Sequence, residues 1–301
     1  MKFNLANLRA YAKAWLRAPF AIRAIESRTE RLIFDLGCVQ DKLNASASFP
    51  HGYEYQVFSQ AGDDGIIQHL TRVIPIQHRV FVEFGVQNYV ESNTRFLLLK
   101  NNWSGLVMDG TQKNIEFIRR DPIYARHDLN AICAFIKTAN INRLLVENLP
   151  TRSIGLLSID IDGNDYWIWK AINSVEPAIV VTEYNFRFGP TRAVTVPCDD
   201  DFVRGSAHYS HVYYGASLKA LWLLAKEKGY DLVGCNSFGN NAFWVRKDLR
   251  PALLPALTAE EAYCAGKFRE ARNPEGELIF STLEEELRIL EKLPLVEISE
   301  S

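Results

Sequence analysis

Between residues 79 and 246, short apolar runs alternate with segments of helical periodicity, and this alternation constrains the fold more than any other feature of the chain. The runs are Arg79 to Phe84, Gly105 to Met108, Asn130 to Ile136, Ile154 to Ile161 and Ala178 to Glu183. Helical spacing marks Gly65 to Val73 before them, and Thr94 to Lys100, Asn114 to Arg120, Ile141 to Glu147 and Tyr166 to Ala171 between them. A strand that is apolar throughout, rather than at alternate positions, is buried on both faces. Helices between such strands are the crossovers that parallel pairing needs. The prediction is a parallel sheet covered on both sides.

The end of this block differs. Ala216 to Lys228 reads as a helix closed by Gly229 at its C′ position. Tyr230 to Cys235 and Ala242 to Arg246 then read as two strands of a hairpin, joined by the turn-rich Asn236 to Asn241. A parallel sheet that finishes in an antiparallel hairpin resembles the seven-stranded sheet of class I methyltransferases, whose last strand inserts in reverse. The expected fold is therefore α/β: a Rossmann-like, seven-stranded, mostly parallel sheet with a C-terminal antiparallel hairpin. It is expected over residues 51–250, after a helical N-terminal extension (1–50) and before a helical C-terminal tail (251–301).

The N-terminal extension is basic and amphipathic. Lys2, Arg9, Lys13, Arg17 and Arg23 precede the first acid, Glu26, with Leu5, Leu8, Tyr11, Trp15, Phe20 and Ile22 between them. Such a segment can lie on an anionic membrane, cover its own domain or pack on a dimer mate. Pro19 argues against a single long helix, and Asn44 to Gly52 reads as a linker.

Composition narrows the function classes. The 301 residues carry 34 Lys+Arg against 36 Asp+Glu, a formal charge of −2, which argues against a dedicated nucleic-acid binder. No stretch reaches the roughly 18 apolar residues of a membrane span. The five cysteines, Cys38, Cys133, Cys198, Cys235 and Cys264, lack zinc-site spacing and read as reduced thiols of a cytoplasmic protein. The N-terminus does not read as a secretory signal.

In an open parallel sheet, ligands bind beyond the carboxyl ends of the strands, at the switch point. The residues there are Glu83 and Gly85, Asp109, Asp160 and Asp162, and Glu183 and Asn185. Carboxylates crowded on one edge repel unless a cation, a cationic ligand or hydroxyl donors compensate. Gly85 lets a ligand approach the backbone, and a strand-end Asp such as Asp109 can take both ribose hydroxyls. The spacing resembles a Rossmann-type nucleotide site, but the GxGxxG fingerprint is absent, which counts against NAD.

Further motifs resemble the FkbM-type methyltransferases. Ser59-Gln60-Ala-Gly62-Asp-Asp64-Gly65-Ile66 is similar to their SQxGxDGI motif. Val82-Glu83-Phe84-Gly85 followed by Glu91-Ser92-Asn93-Thr94 is similar to their cofactor loop. Trp103 to Gly110 and Ser158 to Tyr166 resemble their second- and fourth-strand motifs. The resemblance spans about residues 55 to 250. It implies S-adenosylmethionine held by Gln60, Glu83, Gly85, Asn93, Asp109 and Asp160. Where many relatives have a second glycine after Gly85, this chain has Gln87-Asn88-Tyr89.

Asp160-Ile-Asp162 and Glu183-Tyr-Asn185 each place two oxygen ligands at i and i+2 near a strand end. Such oxygen sets suit Mg²⁺ or Mn²⁺, and the grouping resembles the Asp/Asp/Asn set of metal-dependent O-methyltransferases. A helix cap or a simple turn explains the same residues without metal. His208 and His211, in the loop before Tyr213, are the candidate bases for taking a hydroxyl proton, His208 first. Arg187 and Arg204 could hold an anionic or sugar acceptor, and Asn240 and Asn241 could line its pocket; Arg269 to Arg272 reads as a solvated charge cluster.

The expected function is S-adenosylmethionine-dependent O-methylation of a sugar or glycan or glycolipid precursor, assisted by His208, His211, Asp160 or a divalent ion. The expected place is the cytoplasm, with peripheral contact to the inner face of the membrane through the N-terminal segment, and with homo-oligomers allowed. The alternative is a non-catalytic module that keeps the fold.

Overall fold

The computed structural model describes residues 5–43 and 48–299, and within the first helix it describes side chains at residue 22 and from residue 25 onward. Part of the expected linker, residues 44–47, lies outside the described residues, as do the side chains of the basic run up to Arg23. The chain divides into two compact units, Met1–Ser46 and Ala47–Ser301.

The first unit is one helix, Leu5–Leu43, running without a break through Pro19. This corrects the break expected there. A proline removes one i→i−4 hydrogen bond and bends a helix; the alanine- and leucine-rich sequence on either side favours continuing the ladder beyond it.

The second unit is built on strands β1 (Val80–Phe84), β2 (Ser104–Asp109), β3 (Leu129–Cys133), β4 (Ser153–Ile159), β5 (Glu176–Glu183), β6 (Val194–Thr195), β7 (Tyr230–Cys235), β8 (Asn241–Arg246) and β9 (Val296–Glu297). Seven form one sheet in the order β3-β2-β1-β4-β5-β8-β7, while β6 and β9 pair separately. All pairs from β3 to β5 are parallel, and β8 runs antiparallel to both β5 and β7. This is the Rossmann-like, mostly parallel seven-stranded sheet with an antiparallel hairpin that the sequence predicts. Strand order reverses between β1 and β4, so the switch point lies at their carboxyl ends.

Both faces are covered, as continuous apolar strands require. Phe81, Val107, Leu156, Ile179 and Phe243 pack on one side with Ile66 and Leu70 of the helix Asp63–Val73. Val82, Met108, Leu157, Val180 and Trp244 pack on the other with Ile168 and Trp169 of Asp165–Ala171 and Leu221 of Leu218–Lys228. That last helix ends as read from sequence: Gly229 at φ 79° donates to the Ala225 and Lys226 carbonyls. Strand β3 stops at Cys133, short of the expected Ile136, and Ala134 bonds back to the Asp109 carbonyl as the chain leaves the sheet.

The C-terminal stretch differs from the helical tail expected. Among its described residues only Ala259–Ala262 and Leu283–Leu290 are helical, and the stretch belongs to the same compact unit as the sheet. Its Ala271 and Leu290 join Phe188, Val194, Val212 and Tyr213 in a small core of their own. The Arg187 guanidinium, almost fully buried, pairs with Glu286 at 2.5 Å and Glu270 at 3.5 Å. No helix among the described residues is long and apolar enough to cross a membrane.

Candidate active site

The strand-end acids converge at the carboxyl edge of β1, β2, β4 and β5. Glu83, at the end of β1, is buried; one carboxylate oxygen accepts the Asn93 N–H at 2.8 Å, and the other accepts the Thr94 N–H at 3.1 Å and its hydroxyl at 2.5 Å. Glu83 thus ties the loop after β1 to the strand, and burial pushes its pKa up to about 7 despite those bonds. Asn93 donates onward to the Ser158 hydroxyl of β4 at 3.1 Å.

Gly85 has a φ of 70°, and a Cβ there would collide with the Asp160 carbonyl oxygen. The loop that follows keeps a glycine-like path without glycine. Gln87 and Tyr89 have φ values of 47° and 62°, in the left-handed region side chains usually avoid. The Gln87 N–H donates to Asp109 at 2.9 Å, and the other Asp109 oxygen accepts the Thr111 N–H at 2.8 Å and the Asn114 carboxamide at 2.9 Å. Asp109 organises both loops around itself.

Asp160, Asp162 and Glu183 each present a carboxylate oxygen, and the three lie within 4.8 Å of one another. The turn that places the two aspartates is fixed by Asp165, which accepts the Ile161 and Gly163 N–H groups, both at 3.0 Å. Asp162 adopts a φ of 57° within it. Glu183 is 8% exposed, and its Oε2 has no hydrogen-bond partner among the described residues. Burial, reinforced by Asp160, pushes the Glu183 carboxyl well above the usual range; burial and then Asp162 do the same to Asp160.

Arg204 is the counter-charge. Its guanidinium donates to Asp162 at 2.9 Å, to Glu270 at 2.5 Å and to the His211 carbonyl at 2.8 Å, and it stacks 3.6 Å over the Tyr214 ring. Glu270 is therefore a site residue that the sequence reading placed on a solvated face. No local signal could reveal it, because its partner is 66 residues away.

Two hollows share a wall of Gly85, Gln87, Asp160, Asp162 and Arg204. The larger, about 520 Å³, is lined by Met108, Asp109, Phe135, Ile136 and Phe202, among others. The smaller, about 170 Å³, is lined by Gln60, Glu83, Asn93, Glu183, Asn241 and Glu270, among others. Gln60 accepts a long bond from Asn240 at 3.4 Å. The larger hollow adds Asp109 and an apolar wall to the shared Asp160, Asp162 and Arg204; the smaller adds Glu83, Glu91, Glu183 and Glu270 and is strongly acidic.

Three expected site groups do not join this constellation. Asn185 is fully buried: its carboxamide donates to the Val212 and Tyr214 carbonyls at 2.9 and 3.0 Å, and its oxygen accepts from Arg187, so it is turned away from the carboxylates. Neither His208 nor His211 lines either hollow. His208 bonds the Ser210 hydroxyl at 2.7 Å, and burial lowers its pKa. His211 meets the site through its backbone carbonyl, which holds Arg204. Arg187 is consumed by Glu286 and Glu270 and is not free for an acceptor.

No family model and no curated protein matches the chain. Among solved structures it is similar to an O-methyltransferase from Bacillus cereus in complex with S-adenosylhomocysteine, at 14% identity and a TM-score of 0.39, over 70% of this chain and 88% of that one. It is also similar to the N-terminal domain of EvdMO1, solved with S-adenosylhomocysteine and D-fucose, at 10% identity and a TM-score of 0.38, over 69% and 93% of the two chains. A third is cofactor-bound Rv0187 from MTB, at 10% identity and a TM-score of 0.39, over 82% and 99%. Likeness this distant carries no functional argument, and the fold rests on its own strand order.

Proposed function

We propose that this chain is an S-adenosylmethionine-dependent methyltransferase of the FkbM-like kind. In this reading it methylates a hydroxyl of a polyhydroxylated acceptor, a sugar or a glycan or glycolipid precursor in the cytoplasm, with a divalent ion at the acidic triplet. One observation carries the reading. Two adjoining hollows meet at the switch point, Asp109 bordering the first, Glu183 the second, and Asp160 on the wall between them.

The larger hollow fits a nucleoside. Asp109 has lone pairs for both ribose hydroxyls, and Met108, Phe135 and Ile136 offer an apolar wall for a base. Gly85 permits close approach of the ligand to the backbone. When bound, S-adenosylmethionine supplies an electrophilic methyl on a sulfonium. The acidic rim of Glu83, Asp160 and Asp162 favours that positive charge and the ammonium beside it.

The smaller hollow fits a cation and a hydroxylated acceptor. Its buried, unpartnered Glu183 oxygen is a ligand atom without a use inside the protein. Asp160, Asp162 and Glu183 would hold the ion, which on binding lowers a hydroxyl's pKa and orients it. Where no ion is bound, Glu183, which lines the hollow with an unpartnered oxygen, is the group placed to take the hydroxyl's proton in place of the histidines. Arg204 holds Asp162 in place and bridges it to Glu270. The protein's chief work is then alignment of methyl and oxygen.

The non-catalytic alternative was motivated by the missing glycine after Gly85. The left-handed backbone of Gln87 and Tyr89 preserves the loop's path and supports the enzyme reading. Calorimetric titration with S-adenosylmethionine tests it first: binding in the micromolar range is expected, and none at millimolar ligand would end the proposal. Transfer of labelled methyl to a panel of polyhydroxylated acceptors, with and without Mg²⁺ or Mn²⁺, then tests the acceptor class.

A further inference from the structure

We infer that the helix Leu5–Leu43 pairs with the same helix of a second copy of this chain as a coiled coil. The observation is a seam of exposed apolar side chains. Ile22, Ile25, Leu32, Leu36, Val39 and Leu43 are 53–70% exposed. Their spacing, with Thr29 filling the one gap, alternates steps of three and four residues, which places them on a single narrow stripe.

The sequence carries the same register back through Ala18, Trp15, Tyr11 and Leu8. Over these eleven positions from Leu8 to Leu43 only Thr29 is polar. A strict seven-residue repeat drifts around a straight helix unless two helices supercoil, so five repeats in register specify a partner helix and not a flat surface. A single polar residue in such a seam fixes register.

Size and charge favour a second copy over a membrane. Thirty-six residues make a seam about 54 Å long and about 10 Å wide. Two such seams bury about 1,000 Å² together, the lower bound for a specific interface. From Ile22 to Leu43 the bases Arg23, Arg28, Arg31 and Lys42 are matched by the acids Glu26, Glu30, Asp35 and Asp41. That balance sets Ile22 to Leu43 apart from the basic run Lys2 to Arg23, so this half of the seam lacks the basic polar face of a helix that lies on anionic lipid.

Light scattering of the full chain after size exclusion tests the inference. The wild type is expected at twice 34.3 kDa. Leu32→Lys/Leu36→Lys is expected at the monomer mass with an unchanged near-ultraviolet circular dichroism spectrum and thermal transition, while Ser27→Lys, off the stripe, stays dimeric. A wild-type monomer at the highest soluble concentration overturns the inference, as does a dimer that survives the double substitution. Capture of a monomeric wild type by phosphatidylglycerol vesicles, lost in the double variant, would assign the stripe to lipid and likewise overturn it. None of these outcomes bears on methyl transfer.

Discussion

The carbonyl oxygen of Asp160 occupies the place that a Cβ on residue 85 would need. β1 and β4 approach this closely at the switch point, where the two hollows meet. Gly85→Ala must therefore push the strand ends apart at a residue whose φ is 70°. Overpacking and the left-handed backbone together cost about 2–5 kcal/mol. Thermal denaturation should show a Tm lower by several degrees, and donor affinity should fall at least about tenfold, since the shared wall moves. A variant with wild-type Tm and affinity would mean the contact is slack.

Asp109 organises its surroundings as well as bordering the larger hollow. Asp109→Ala leaves the Gln87 and Thr111 N–H groups and the Asn114 carboxamide without their acceptor. Each bond to a charged acceptor is worth about 1.5–3 kcal/mol. Titration calorimetry should show S-adenosylmethionine binding weakened by about 100-fold or more, from lost ribose contacts and loosened loops together. Asp109→Asn, which keeps one acceptor oxygen, should lose less. Equal affinity in wild type and the alanine variant would remove Asp109 from the donor site.

The sheet and its acidic edge were legible because each signal is local. A continuous apolar run such as Ile154 to Ile159 declares a strand buried on both faces, and the acid that follows lands at its carboxyl end. What was illegible depends on contacts far along the chain. Asn185 looked like a ligand beside Glu183 until the Val212 and Tyr214 carbonyls, 27 and 29 residues on, claimed its carboxamide. Glu270 looked solvated because Arg204 reaches it across 66 residues. The histidine loop meets the candidate site through the His211 backbone carbonyl, which holds Arg204, and no side-chain argument foresees that.

Glu183 is held at a cost to stability. Its carboxyl is pushed up by burial and then by Asp160, so the fold retains protons that the unfolded chain has released. The sign follows: the stabilising contribution is complete below the ordinary carboxylate value and is lost as pH rises through the raised one. Glu83, raised from 4.5 to about 7, acts in the same window. Glu183→Gln removes the charge without stranding a donor on Oε2, so its Tm near pH 8 should rise by the equivalent of about 0.5–2 kcal/mol while methyl transfer is lost. Glu83→Gln should instead lower the Tm, because its oxygens accept from Asn93 and Thr94. A Glu183→Gln protein less stable than wild type at high pH would show that the buried charge is compensated inside the protein.

Divalent ions should compete with those same protons. Ligand carboxylates must be ionised, so Mn²⁺ affinity should climb as pH rises through the raised values of Asp160 and Glu183, by up to about tenfold per unit for each proton displaced. Titration followed by manganese paramagnetic resonance reads this directly. Asp162→Asn should weaken binding by about tenfold or more, through a lost ligand charge. Asn185→Ala should leave ion affinity within about twofold yet lower the Tm, since it strands two buried carbonyls. If transfer activity survives exhaustive chelation unchanged, the ion is dispensable and Glu183 alone takes the proton; if the Asn185 variant loses the ion while keeping its Tm, the ligand set drawn from the carboxylate triplet is wrong.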